Sequence, residues 1–298
     1  MATTETVTSE PASRMTLRRP PFAFSRDKAL HWNAGKPEFS QIVNAASLAM
    51  PYLEPYLIKT MREARPLITD AQLVRDLDLY CGQESAHYRQ HRKFNDELKA
   101  LRPEIIDTLE AALAADYARL ARDRSLTFNL AYAEGFESMA LAIGHMLIEE
   151  REFLFGGAES AVASLVLWHF VEEIEHKNVT FDVFKHISGS YLWRITGLFY
   201  ATGHIMWRTR RGYHALLKAD GLWRNLRSRL ALAHVLFRIF KSLTPKFLRI
   251  LHPAYHPSQV ADPEWVSAWA AIYEASDTAA ARLDTHRLRE ALPVALPA

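Results

Sequence analysis

Two Glu-x-x-His motifs, Glu84/His87 and Glu173/His176, put a carboxylate and an imidazole one helical turn apart on the same face, where both can reach one metal ion. Composition alone predicts about one such motif in a chain of this make-up, so the pair is informative only through its surroundings. Those surroundings are apolar. Leu73, Leu77, Tyr80, Glu84, His87 and His91 follow one another at steps of three and four, a stripe that runs from apolar side chains into Glu and His. Leu165, His169, Glu173, His176 and Val183 form a second stripe, and Leu130, Ala133, Glu137, Leu141 and Gly144 a third. Glu54 sits beside Leu53 and Leu57 just after Pro51. Buried without partners, these acids and imidazoles would each cost several kcal/mol. Four carboxylates facing two divalent ions sum to zero charge, so a two-metal site turns an unfavourable cluster into a neutral one. One Glu from each of two helices and a Glu-x-x-His from each of two others is the inventory of di-iron and di-manganese four-helix proteins. The candidate ligands are therefore Glu54, Glu84, His87, Glu137, His169, Glu173 and His176, read as both metal-binding and catalytic. Glu134 and Glu172 each neighbour a candidate and would replace it under a different helix phase. On the preferred phase Glu172 is off the inward stripe and dispensable. His91 would stand behind His87 as a donor or proton shuttle, or lie on the surface. Asp182 would orient His176 or pair with Lys177, and Tyr80 or Tyr88 would be the redox tyrosine of a radical-generating protein.

The elements that must position these residues are helices. Glycine is scarce, 11 in 298 residues, whereas folds of many short strands need glycine turns. Breakers at Pro51, Pro66, Pro103, Gly156-Gly157, Ser188-Gly189, Pro245 and Pro253–Pro257 leave about seven helical segments. Asp70 is placed to cap the segment that carries Glu84. A helix from Phe39 to Met50 precedes a short one beginning at Pro51, and one helix is expected to run from Ser160 to Ile187. Residues 1–25 are polar and Pro-containing, which predicts a disordered tail. Residues 26–188 then form the metal-binding helical unit, and 189–298 a helical extension packed on it. The apolar run from Tyr191 to Trp207 contains Arg194 and His204 and falls short of the roughly 20 apolar residues of a membrane span. The lone Cys81 excludes an internal disulfide, and the N-terminus lacks an apolar signal core, so a cytoplasmic location is expected.

The formal charge of +2 from 36 Lys+Arg and 34 Asp+Glu gives no basic excess for nucleic acid, and none is expected as a partner. The total hides an asymmetry. Residues 208–249 hold eleven Lys+Arg and one acid, Asp220, for a charge of +10, while the other 256 residues sum to −8. Trp207, Leu230, Phe237 and Phe240 interleave with that charge. The alternatives are a solvated basic face, peripheral contact with the inner membrane surface, or guidance of an apolar or amphiphilic substrate.

At PYLEPY (51–56), GQESAHYRQHRKFN (82–95), EGFES (134–138), WHFVEEIEHKNVTFDVF (168–184) and LHPAYHP (251–257), the chain resembles the bacterial family of predicted metal-dependent hydrolases in the ferritin-like group. The resemblance implies an all-α fold, a ferritin-like four-helix bundle with additional C-terminal helices. It places likely family ligands on Glu54, Glu84, His87, Glu137, Glu173 and His176, with His169 also matching. The His-x-x-x-Glu-x-x-His run is similar as well to di-iron N-oxygenases acting on aryl amines. The leading expectation is a di-metal carboxylate oxygenase, with iron first and manganese or zinc as alternatives, that oxidises an apolar substrate with O2 and needs an electron donor. The alternatives are a two-metal hydrolase of esters or amides and a non-enzymatic metal bundle. A homodimer is the assembly to test.

Overall fold

The computed structural model describes residues 15–297. Among these the protein is all-α; an isolated bridge between Leu283 and Ala295 is the sole β pairing. The principal helices are α1 (Pro37–Ser47), α2 (Met50–Ala64), α3 (Ala71–Leu101), α4 (Pro103–Asp123), α5 (Leu126–Glu149), α6 (Ser160–Glu175), α7 (Val179–Ile187), α8 (Tyr191–Ala219), α9 (Leu226–Ile250) and α10 (Glu264–Ala275). Their starts follow capping chemistry. The Asp70 carboxylate accepts from the backbone N–H groups of Gln72 and Leu73 at 2.8 and 3.1 Å, and Ser125 and Asn225 cap α5 and α9 in the same way, each satisfying donors that the first turn leaves open.

The four helices that carry the candidate ligands meet in a closed ring: α2 packs on α3, α3 on α6, α6 on α5 and α5 back on α2. Their inward faces are apolar and fully buried at Leu53, Leu57, Leu77, Leu130, Leu165 and Trp168, so the hydrophobic effect holds the ring closed around its polar centre. Outside it, α8 lies along α5 and α1. Two glycines permit this approach: a Cβ at Gly197 would fall 1.9 Å from the Ala131 carbonyl oxygen, and one at Gly135 2.4 Å from the Leu198 nitrogen. Helix α9 packs on α5 and α1, and the last residues reach back to α6, where the Ser164 hydroxyl accepts from the Leu283 N–H at 2.8 Å.

Several expectations are corrected. Residues 15–25 are part of the fold. Met15, Arg18 and Phe22 are buried, because Arg18 finds two carboxylates on α6 and Phe22 packs against Trp168 at 5.5 Å; residues 1–14 of the expected tail lie outside the described ones. The segment from Ser160 to Ile187 is two helices broken after Glu175, with His176 as the cap residue at φ −93° and ψ 10°. Pro245 ends nothing; α9 runs through it to Ile250, on a face where the helix is exposed and a lost backbone bond is open to water. The helix that begins beside Pro51 is not short, since it passes through Pro55 to Ala64.

Candidate metal centre

All seven candidate ligands converge where the four helices meet. Glu54, His87 and His169 form one group and Glu84, Glu137, Glu173 and His176 another, each with its ligand atoms within 4.8 Å of one another. None of the seven is more than 4% exposed. The groups share an edge. Glu173 Oε1 lies 3.0 Å from His169 Nε2 and 3.7 Å from His87 Nδ1, while its Oε2 lies 3.2 Å from His176 Nε2. Glu84 Oε1 likewise lies 3.7 Å from His87 Nδ1 and 3.4 Å from His176 Nε2. Both Glu-x-x-His carboxylates thus stand between the two groups, while Glu54, 3.8 Å from His169 Nε2, and Glu137, 3.2 Å from His176 Nε2, stand at the ends.

Whether these residues fit metal ions can be judged from their lone pairs. Both oxygens of Glu54, both of Glu84, Oε2 of Glu173 and Nδ1 of His87 are buried with no hydrogen-bond partner. Buried polar atoms are paired in all but a few cases, and six unpaired ones facing a single centre are the donor set of hard or borderline cations. The residues fit a two-metal centre of Glu and His.

The atoms facing away from the centre are held. His87 Nε2 donates to Glu172 at 3.0 Å, and Glu172 in turn accepts from Arg18 at 3.3 Å. His176 Nδ1 donates to the Gln83 carbonyl at 3.1 Å. His169 Nδ1 lies 2.7 Å from His91 Nε2, and His91 Nδ1 lies 2.8 Å from the Ser47 hydroxyl, which donates to Asn95 at 2.6 Å. Tyr80 donates to Glu137 at 2.8 Å. Each imidazole therefore keeps its other nitrogen for the centre, the arrangement that fixes a ligand's tautomer and ring angle. Gln83 and Arg18 were not singled out by sequence: glutamine carries no metal signal, and Arg18 lies in a segment whose composition looks unstructured. Glu172, expected off the inward stripe, is fully buried between His87 and Arg18. Asp182 pairs with His256 at 2.9 Å, and Lys177 with Asp262, so neither expected partnership of Asp182 forms. Tyr88 is half-buried and lines a shallow surface cavity instead of the centre.

The electrostatics carry the same imprint. Burial, with Glu84, Glu173 and Glu137 nearby, holds Glu54 well above the usual carboxylate range. Burial and Glu173 do the same to Glu137. Burial opposes ionisation of Glu173 too, but His176 and His169 outweigh it and hold that carboxyl well below its usual range. Burial opposes protonation of His87, yet Glu172 and Glu84 raise it to about 9. Without a cation Glu54 and Glu137 keep their protons, while the imidazoles of His87 and His176, raised by the carboxylates around them, supply the positive charge that faces Glu173.

Glu134 belongs to neither group. It accepts from Ser138 at 2.9 Å and faces Arg194 of α8 at 4.0 Å. Beyond Arg194 opens a surface cavity of about 450 Å³ lined by Phe181, Tyr191, Tyr255 and His256, which places the LHPAYHP segment over this pair. Burial raises the Glu134 carboxyl from 4.5 to about 7, against the pull of Arg194 and Ser138. A carboxyl raised in this way favours the fold while protonated, so its contribution is full below about pH 4.5 and is lost as pH climbs through about 7. Glu134→Gln should therefore be near neutral in acid and stabilising by about 3 kcal/mol above about pH 8, as urea unfolding across that range would show; a pH-independent difference would contradict it.

Fold and site together define an all-helical protein built around a buried carboxylate–histidine centre suited to two metal ions. The chain belongs to the family of predicted metal-dependent hydrolases, whose family model matches residues 16–261. That match covers all seven converging residues together with Arg18, Gln83, His91 and Glu172. Neither curated proteins nor solved structures give a significant match.

Proposed function

We propose that the protein is a two-metal hydrolase of esters or amides, with Glu54, Glu84, His87, Glu137, His169, Glu173 and His176 as the metal ligands. The observation that carries this reading is the set of six buried, unpartnered donor atoms aimed at one centre; the hydrolytic family description supports it over the oxygenase expected first. When bound, divalent ions would polarise a carbonyl and acidify a coordinated water to a pKa near roughly 7. The protein's own part is to hold and orient. Glu172, His91 and Gln83 keep one nitrogen of each imidazole turned inward, and Tyr80 fixes Glu137. Glu54 sits at the end of the cluster, where it would hold a metal ion through an oxygen that has no hydrogen bond.

A second reading, O2-dependent oxidation at a di-iron centre, draws on one observation: every donor is Glu or His, and all are screened from solvent, which suits chemistry that must exclude water. One series separates the two. Protein purified without chelators is analysed for metal, then reloaded anaerobically with Zn(II), Mn(II) or Fe(II), and assayed on nitrophenyl esters and nitroanilides and for O2 uptake. Metal-dependent release of nitrophenol or nitroaniline, lost in His176→Ala, is expected. O2 uptake with Fe(II) and no hydrolysis under any metal would replace the hydrolase with the oxygenase.

A further inference from the structure

We propose that the outer face of α8 and α9 docks the protein on an anionic lipid bilayer, independently of how the metal centre is read. Of fifteen large hydrophobic residues exposed among the described ones, twelve lie between Tyr191 and Leu248. On α9 they keep helical register: Leu226, Leu230, Phe237 and Leu248 stand on one side, opposite Leu232, Val235 and Ile250, which are buried. Leu226, Leu230 and Phe237 are each at least 63% exposed. Phe199 and Met206 on α8 are exposed at the same kind of spacing, and the start of α8 is tied to the end of α9 by Arg194, which donates to the Ile250 carbonyl at 2.8 Å. A helix with one apolar face packed on the protein needs no second one for stability. The second is an apolar surface without a partner among the described residues.

Charge selects the occupant. The one acid of residues 208–249, Asp220, is only 4% exposed and is paired with His31 and Arg102. Arg208, Arg238 and Lys246 are paired with Asp116, Glu150 and Glu149 from neighbouring helices, while Arg227, Arg229 and Lys241 are exposed beside the apolar stripe. A second copy laid on this face would set like charges against each other, and a nucleic acid would leave the Leu and Phe side chains without a partner. An anionic bilayer satisfies both, taking the apolar side chains among the acyl chains and the guanidinium groups among the headgroups. No described helix is long and apolar enough to cross a membrane, so the contact is in the plane of the surface.

The test is co-sedimentation of the full chain with vesicles of phosphatidylcholine alone or of equal parts phosphatidylcholine and phosphatidylglycerol, at low and high salt. Binding to the anionic vesicles is expected to exceed that to the neutral ones by more than about tenfold and to fall with salt. Arg227→Gln with Arg229→Gln should weaken it by more than about tenfold. Leu230→Glu with Phe237→Glu should abolish it; these side chains are exposed, and an unchanged circular dichroism spectrum and thermal midpoint would show the fold intact. Negligible binding to both vesicles at low salt, or binding that survives both variants, overturns the proposal. So does a solution dimer that Leu230→Glu with Phe237→Glu separates, if it forms without any vesicle binding, since the face would then belong to a second copy.

Discussion

Stripping metal from the protein should lower its thermal midpoint by about 10 °C. Glu54, Glu84, Glu137 and Glu173 are each at most 2% exposed, and a centre with four carboxylates and six unpartnered donor atoms is costly unless cations occupy it. An ion present at roughly a thousand times its dissociation constant stabilises the folded state by about 4 kcal/mol, and each kcal/mol moves the midpoint of a chain near this size by about 2–4 °C. Calorimetric scans before and after dialysis against a chelator, then after readdition of Zn(II), Mn(II) or Fe(II), would measure it. Superimposable scans, with little metal in the untreated protein, would count against a metal centre and leave the cluster as a proton-holding core.

The second large effect distinguishes the middle of the centre from its end. Glu173 has one oxygen toward His169 and His87 and the other toward His176, so Glu173→Ala should empty both groups and cost activity at least a hundredfold. Glu54 stands at one end, next to His169. Glu54→Ala should lose the ion of its own group and keep the one held by Glu84, Glu137, Glu173 and His176. Metal content by elemental analysis would fall from about two ions per chain to near none in the first variant and to about one in the second. Equal losses from the two variants would mean that the groups do not fill separately.

Six of the seven side chains that meet at the centre were legible along the chain because the helix period is fixed, and Glu54 through its apolar neighbours and the family resemblance. A Glu three residues before a His must share its face, and apolar neighbours at steps of three and four say which face turns inward. The cap at Asp70 was legible for the same local reason, the preference of a short carboxylate for open backbone donors. Periodicity is blunt at one residue's resolution, however. Glu134 and Glu137 lie within one turn, Glu172 and Glu173 are adjacent, and all four are buried.

Tertiary structure decided between them by supplying arginines. Arg194, on a helix outside the ring, faces Glu134, and Arg18, 154 residues from Glu172, takes that carboxylate together with Glu175. Each thereby accounts for the glutamate that does not join the centre. No local pattern announces such a pairing, since it depends on which segments pack together, and Arg18 sits in a stretch too polar to suggest that it packs at all. The break at His176 belongs with these. Its segment reads as continuous helix, but the chain departs from helical geometry there at the residue whose imidazole meets Glu84, Glu137 and Glu173. Local periodicity was enough for most of the helices, the stripes that carry the donors and the donor types. The packing of distant segments determined which acids converge on the centre, because a buried charge is settled by whatever countercharge the fold brings beside it.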